Sequence, residues 1–147
     1  MSEAASERKL KLLVPTNFSR KSEMALDFAL AQTQLTAAHV QVYLFHVFED
    51  ATKNFRRLDK LNEEYMERMK QTMVNGIERQ RQQGVTVSVE DVHQRIAHGK
   101  AALEILKMAE GIQPDMIVMG APTSNAFKKL VTNAPCTLVL VKHKGDA

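Results

Sequence analysis

The sequence predicts one α/β domain: a five-stranded parallel sheet, doubly wound, with helices on both faces. Three observations predict it. Apolar β-rich runs and amphipathic runs alternate in the order β-α-β-α-β-α-β-α-β, which implies right-handed crossovers between parallel strands. Two runs, Asp115–Met119 and Thr137–Val141, are almost wholly apolar, as strands buried on both faces are. The length of 147 residues suffices for one core and not for several.

Residues 1–9 read as a polar arm and 10–143 as the domain. Leu10–Val14 is the first strand, closed by Pro15, which has no ladder donor. Thr16–Ser19 is a turn, with Ser19 capping a helix whose inner face carries Met24, Ala25, Phe28, Ala29, Gln32 and Leu35. His39–Phe48, rich in β-branched and aromatic residues, is the second strand. Thr52–Gln83 is a long helix with Leu58, Leu61, Tyr65, Met69, Met73 and Ile77 in one stripe. Gly76 weakens that helix by roughly 1 kcal/mol against alanine and marks a place for a bend. Gly84 suits a left-handed terminator. Val85–Val92 alternates apolar and polar residues, predicting a third strand at a sheet edge. Gly99 opens the next helix, with Ala102, Leu103, Ile105, Leu106 and Ala109 facing inward and Gly111 at its end. The strand Asp115–Met119 stops at Gly120. Ala121-Pro122-Thr123 forbids further strand, Ser124 or Asn125 caps a helix over Ala126–Thr132 that carries Phe127, Leu130 and Val131, and Asn133-Ala134-Pro135 ends it before the strand Thr137–Val141.

Composition excludes several classes. The net charge of +3 comes from 20 basic residues dispersed among 17 acidic ones, so no nucleic-acid partner is expected. No apolar run approaches the roughly 20 residues of a membrane span, and the amino terminus lacks the apolar stretch of a secretory signal. A single cysteine excludes an intramolecular disulfide and a cysteine-based zinc cluster. A cytoplasmic location is expected.

The residues that carry chemistry are few. In a parallel sheet, ligands bind beyond the carboxyl ends of the strands, which places any ligand beside Gly120. Gly120 reads either as the remnant of a phosphate cradle or as the turn that a strand–helix junction needs. Thr16, Asn17 and Ser19 either line an adenosine pocket with the Val47 backbone or simply end a strand and cap a helix. His93 and His98 lack ligand spacing, and His46, inside a strand, reads as a hydrogen-bonded core histidine. Cys136 reads as a small packed apolar group, and the methionines of the long helix as core. No Ser-His-Asp set, carboxylate pair or metal triad is recognisable, so no enzyme is expected. The apolar last strand, placed at an edge, would pair with a second copy to give an isologous dimer.

Several of these segments resemble the universal stress proteins of the UspA type. Leu12-Leu-Val-Pro-Thr-Asn-Phe-Ser19 is similar to that family's first strand and turn, usually Val-Pro-Thr-Asp-Phe-Ser. Leu44-Phe-His-Val47, Gly99–Leu106, Asp115–Gly120 and Asn133–Val141 resemble its other signatures in order. The resemblance implies a Rossmann-like sheet of order 3-2-1-4-5, a homodimer through Thr137–Val141, and a part in stress response with protein partners not yet known. Many members bind ATP through a glycine, a second glycine two residues on, a long spacer and a Gly-Ser or Gly-Thr. Here Gly120 matches the first glycine, Thr123 stands at the second, the spacer is missing, and Ser124-Asn125 falls at the Gly-Ser position. Asn17 replaces the expected aspartate. The resemblance therefore implies the branch without a bound cofactor. Pro15, Thr16, Asn17, Val47, Met119, Gly120 and Ser124 are the residues that would surround ATP or AMP in the alternative, a nucleotide sensor with a shortened loop.

Overall fold

The computed structural model describes residues 9–49, 54–121 and 126–142, with side chains omitted at 126 and 127. Five strands form one parallel sheet: β1 (Lys9–Pro15), β2 (His39–Phe48), β3 (Val92–His98), β4 (Met116–Gly120) and β5 (Thr137–Val141), in the order β3-β2-β1-β4-β5. This is the architecture and order expected. The helices are α1 (Arg20–Leu35), α2 (Phe55–Gln82), α3 (Ala101–Ile112) and α4 (Ala126–Asn133). Strand alternation divides the apolar residues between two cores. Leu12, Val14, Val42, Leu44 and Val118 pack with Leu26, Leu30, Met69 and Met73 on the α1–α2 side. Leu13, Phe45 and Ile117 pack with Ala102, Ile105, Ala109 and Leu130 on the α3–α4 side.

The third strand lies further along than the alternation predicts. Val85 and Val87 are buried and Thr86 and Ser88 exposed, but these residues enter no ladder, and a 3-10 turn at Val89–Asp91 follows. The ladder with β2 begins at Val42–Val92. Alternation reports which side chains face the core; it does not report whether the backbone has a neighbour. Val85 N–H donates instead to the Gln80 carbonyl at 2.8 Å, closing the end of α2. Gly84, at φ +86, makes that reversal possible.

Five further expectations shift. The inner face of α1 is Ser22, Ala25, Leu26, Ala29 and Leu30, whereas Phe28 and Leu35 are exposed. In α2 the stripe is right in phase, but burial is confined to the second half, at Met69, Thr72, Met73, Gly76 and Gln80. Gly76 is no bend: a Cβ there would lie 3.1 Å from Leu26 Cδ2 and 3.2 Å from Leu30 Cδ1, so the glycine lets α2 approach α1 closely. In α3, Leu103 is exposed, Gly111 lies inside the last turn, and the helix stops at Gln113, a left-handed residue with φ 52. β5 is an edge strand and is only half-buried, with Thr137 and Leu140 exposed. Among the described residues no helix is long and apolar enough to cross a membrane.

Candidate functional site

A crevice opens where the strand order reverses. At its floor β1 and β4 are clamped: Lys11 N–H donates to Asp115 Oδ2 and Asp115 N–H to the Lys11 carbonyl, each at 2.8 Å. Their ladder then runs through Leu12–Met116 and Leu13–Ile117 and stops. Above it, each strand keeps only its outer neighbour. Thr16 N–H still donates to the Phe45 carbonyl at 2.8 Å, and β4 stays registered with β5 up to Gly120–Val141. Two strands that leave each other at their carboxyl ends form the crevice in which open α/β sheets bind ligands.

The sequence-derived residues divide around this crevice. Val47 and Met119 pack on the α3–α4 core, and Pro15 shares that face by alternation with Leu13. Gly120 faces the other way. A Cβ on it would stand 2.7 Å from Lys21 Cβ and 2.8 Å and 2.9 Å from the Lys21 carbonyl carbon and oxygen. Gly120 therefore admits the first turn of α1 against β4. Its φ is not left-handed, so neither a special turn nor an anion is needed to explain the glycine. Ser124, with Pro122, Thr123 and Asn125, lies outside the described residues.

Thr16 and Asn17 are engaged by the fold. Thr16 Oγ1 accepts from Phe18 N–H at 3.0 Å and lies 3.0 Å from the buried Ser22 hydroxyl. Asn17 Oδ1 accepts from Ser19 N–H at 3.0 Å and lies 3.1 Å from Ser22 Oγ. Ser19 caps α1, accepting from Ser22 N–H. These short polar side chains tie the turn to the helix it starts. The nearby imidazole serves none of these hydroxyls: His46 Nδ1 lies 2.7 Å from the Thr16 carbonyl, to which it donates, and Nε2 has no hydrogen-bond partner.

Sequence reasoning missed the aromatic assembly around that imidazole. Phe18 adopts φ 63, a left-handed conformation rare for a bulky residue. Its ring lies 4.5 Å from His46 and 6.0 Å from Tyr65, with the Arg68 guanidinium 4.1 Å from its centroid. Tyr65 also meets His46 at 4.5 Å and Phe48 at 5.1 Å. His46 is 7% exposed, and its Nε2 has no hydrogen-bond partner. Burial lowers its pKa below 6.5, Arg68 adds to the effect, and the Thr16 carbonyl opposes it. Alternation of His46 and Phe48 on β2 hinted at this wall; nothing local announced that Phe18 would turn back onto it. Elsewhere, burial raises the Cys136 thiol above its ordinary value, which suits a packed group and not a reactive one.

Residues 10–142 match the universal stress protein family. The chain belongs to that family. This universal stress protein also resembles solved structures over most of their length. One is the hypothetical protein MJ0577, at 26% identity and TM-score 0.66, covering 91% of this chain and 96% of that one. Another is universal stress protein UspA from Lactobacillus plantarum, at 24% identity and TM-score 0.61, covering 92% and 99%. A universal stress protein from Archaeoglobus fulgidus, solved with dAMP, shares 18% identity and TM-score 0.59 over 90% and 98%. No curated protein sequence gives a significant match.

Proposed function

We propose that this universal stress protein is a non-enzymatic, cytoplasmic homodimer that serves the stress response through protein contacts. The observation that carries the reading is the short connection after β4. β4 ends at Gly120 and α4 begins at Ala126, leaving residues 121–125, with no glycine among them, to span the gap. Backbone amides close around a triphosphate where glycines and loop length allow it, and this segment has no glycine and only five residues. The engagement of Asn17 and Thr16 within their own turn supports the same reading. Thermal unfolding with and without millimolar ATP, AMP and adenosine tests it. No shift is expected; a ligand at about 100 times its dissociation constant would add roughly 2.7 kcal/mol and overturn it.

Dimerisation rests on β5, an edge strand that leaves Leu140 exposed; Val131 of α4 is exposed as well. Bare apolar edges are hazards unless covered. Light scattering of the intact chain should return a dimer and Val139→Pro a monomer; a monomeric parent refutes the dimer. The β1–β4 crevice favours the second reading, a sensor that takes AMP or adenosine without a phosphate cradle, and the same melts decide it.

A further inference from the structure

One buried acceptor lies idle at the carboxyl end of β2. His46 gives its Nδ1 proton to the Thr16 carbonyl at 2.7 Å, so Nε2 is a bare lone pair. That nitrogen has no hydrogen-bond partner, in a side chain only 7% exposed. Buried polar atoms nearly always find partners, so an orphan marks a place for a donor. Its surroundings are rings. Phe18 and Tyr65 each stand 4.5 Å from the imidazole, and Phe48 lies 5.1 Å from Tyr65. Phe18 and Phe48 carry no side-chain donor, and the Tyr65 hydroxyl does not reach the lone pair.

The rings differ in how firmly they are held. His46 and Phe48 belong to β2 and Tyr65 to α2, but Phe18 sits in the turn between β1 and α1, half-buried, at φ 63. Its N–H donates to Thr16 Oγ1 at 3.0 Å, and Ser19 N–H donates to Asn17 Oδ1. The turn is thus fixed by its backbone, and the Phe18 ring can rotate away without breaking a hydrogen bond. The charged group that acts on the imidazole is Arg68, whose guanidinium lies 4.1 Å from the centre of the Phe18 ring. Arg68 is exposed and forms no ion pair among the described residues. A flat apolar seat, an acceptor without a donor and a cation without an anion define the complementary ligand. We propose that this corner binds a hydroxylated aromatic carboxylic acid: its ring takes the place of the Phe18 ring, its hydroxyl donates to His46 Nε2, and its carboxylate meets Arg68. Phe18 is the resident stand-in, which supplies the stacking surface but neither the proton nor the charge. The site lies on the α1–α2 face with Phe18, opposite Val47 and Met119, so it is separate from the nucleotide alternative and goes beyond the protein-contact role.

The test uses the full chain with 4-hydroxybenzoate, benzoate and 4-hydroxybenzamide as probes. Long-range proton–nitrogen spectra at about pH 7.5, where the imidazole is neutral, report on Nε2 directly. 4-Hydroxybenzoate should move the His46 Nε2 resonance upfield, leave Nδ1 in place and shift the Phe18 ring protons to solvent-like positions. It should bind at least tenfold more tightly than either analogue, since benzoate lacks the donor and the amide lacks the charge. Arg68→Gln, on the exposed face of α2, should abolish the preference for acid over amide. Phe18→Gly suits φ 63 and keeps both hydrogen bonds of the turn, and it should bind the acid at least tenfold more tightly than the parent does. Absence of binding, equal binding of the three probes, an unmoved Nε2 or equal affinity of parent and Phe18→Gly overturns the proposal. So does a preference that survives Arg68→Gln. An Nε2 resonance already at its hydrogen-bonded position in the free protein also overturns it, by assigning the acceptor to a bound water. AMP alone should leave Nε2 unmoved; a shift with AMP would join this corner to the β1–β4 crevice and overturn the separate site.

Discussion

Replacing Gly120 by alanine should be more damaging than the same change at Gly76 or Gly111. The added Cβ would lie 2.7 to 2.9 Å from the Lys21 Cβ, carbonyl carbon and oxygen. Carbon atoms rest at about 3.5–4.0 Å, so the first turn of α1 must retreat by about 0.7 Å or more. Two of the three atoms are backbone and belong to a helix whose cap is tied to Thr16 and Asn17, so no side-chain rotation relieves the contact. Overpacking of this kind costs about 1–3 kcal/mol, which at about 3 °C per kcal/mol lowers the melting temperature by about 3–9 °C. Gly111→Ala is the matched control, because nothing lies within 4 Å of its Cβ position in α3. It should stabilise by about 0.5–1 kcal/mol through reduced chain entropy. Gly76→Ala falls between them, since its obstacles are the ends of the Leu26 and Leu30 side chains. Calorimetric melts, with urea slopes to confirm an unchanged unfolding transition, rank the three variants. A Gly120→Ala protein as stable as the parent would show that the α1–β4 contact is slack and would refute the account of this glycine.

Three further outcomes are expected. His46, whose folded pKa lies below 6.5, stays neutral in the fold while the unfolded chain takes up a proton; its stabilisation is complete above about pH 7.5 and is lost on acidification through 6.5 at up to about 1.4 kcal/mol per pH unit. Urea unfolding across pH 7.5 to 5 should show a flatter profile for His46→Gln, and an unchanged profile would exclude His46 as a source; His93→Gln removes a more exposed contribution of the same sign. Ser22→Ala should cost about 1–2 kcal/mol in urea unfolding, because the buried Thr16 hydroxyl loses its partner. Asp27→Asn breaks a two-pronged pair with Arg79 that is about one-third exposed, so a loss of about 0.5–1 kcal/mol is expected, shrinking in 1 M salt.

What the sequence made legible follows from what each pattern measures. The two-faced winding was readable because the apolar runs at Leu12–Val14, Val42–Phe45 and Ile117–Val118 require a two-sided core, whereas the strand order came from the family resemblance. Ser19 was readable as a cap because its chemistry is local. Val85 and Val87 misled because a buried coil and an edge strand can share one alternation. Phe28 misled because an apolar residue on a short-period face says nothing about which of two adjacent stripes meets the sheet; Leu26 and Leu30 do. At the site, Gly120 was singled out as a turn or a cradle remnant, but the structural cause of the glycine lies in Lys21, about 100 residues away in sequence, which no motif encodes. The Phe18–His46–Tyr65 assembly joins three separate elements and was invisible for the same reason.

The central position of β1 has a consequence for the birth of this protein. β1 precedes the other four strands of the sheet in the chain, yet one of its two neighbours, β4, begins only at Met116. At ordinary translation speeds of about 5–20 residues per second, the Leu12–Val14 edge stays without its second neighbour for about 5–20 s. No hairpin can shelter it meanwhile, because both of its ladders are parallel and every crossover needs a helix first. The nascent chain thus carries the Leu12–Val14 run half-clothed until β4 emerges, and a protein of this topology leans on whatever shields such edges at the ribosome.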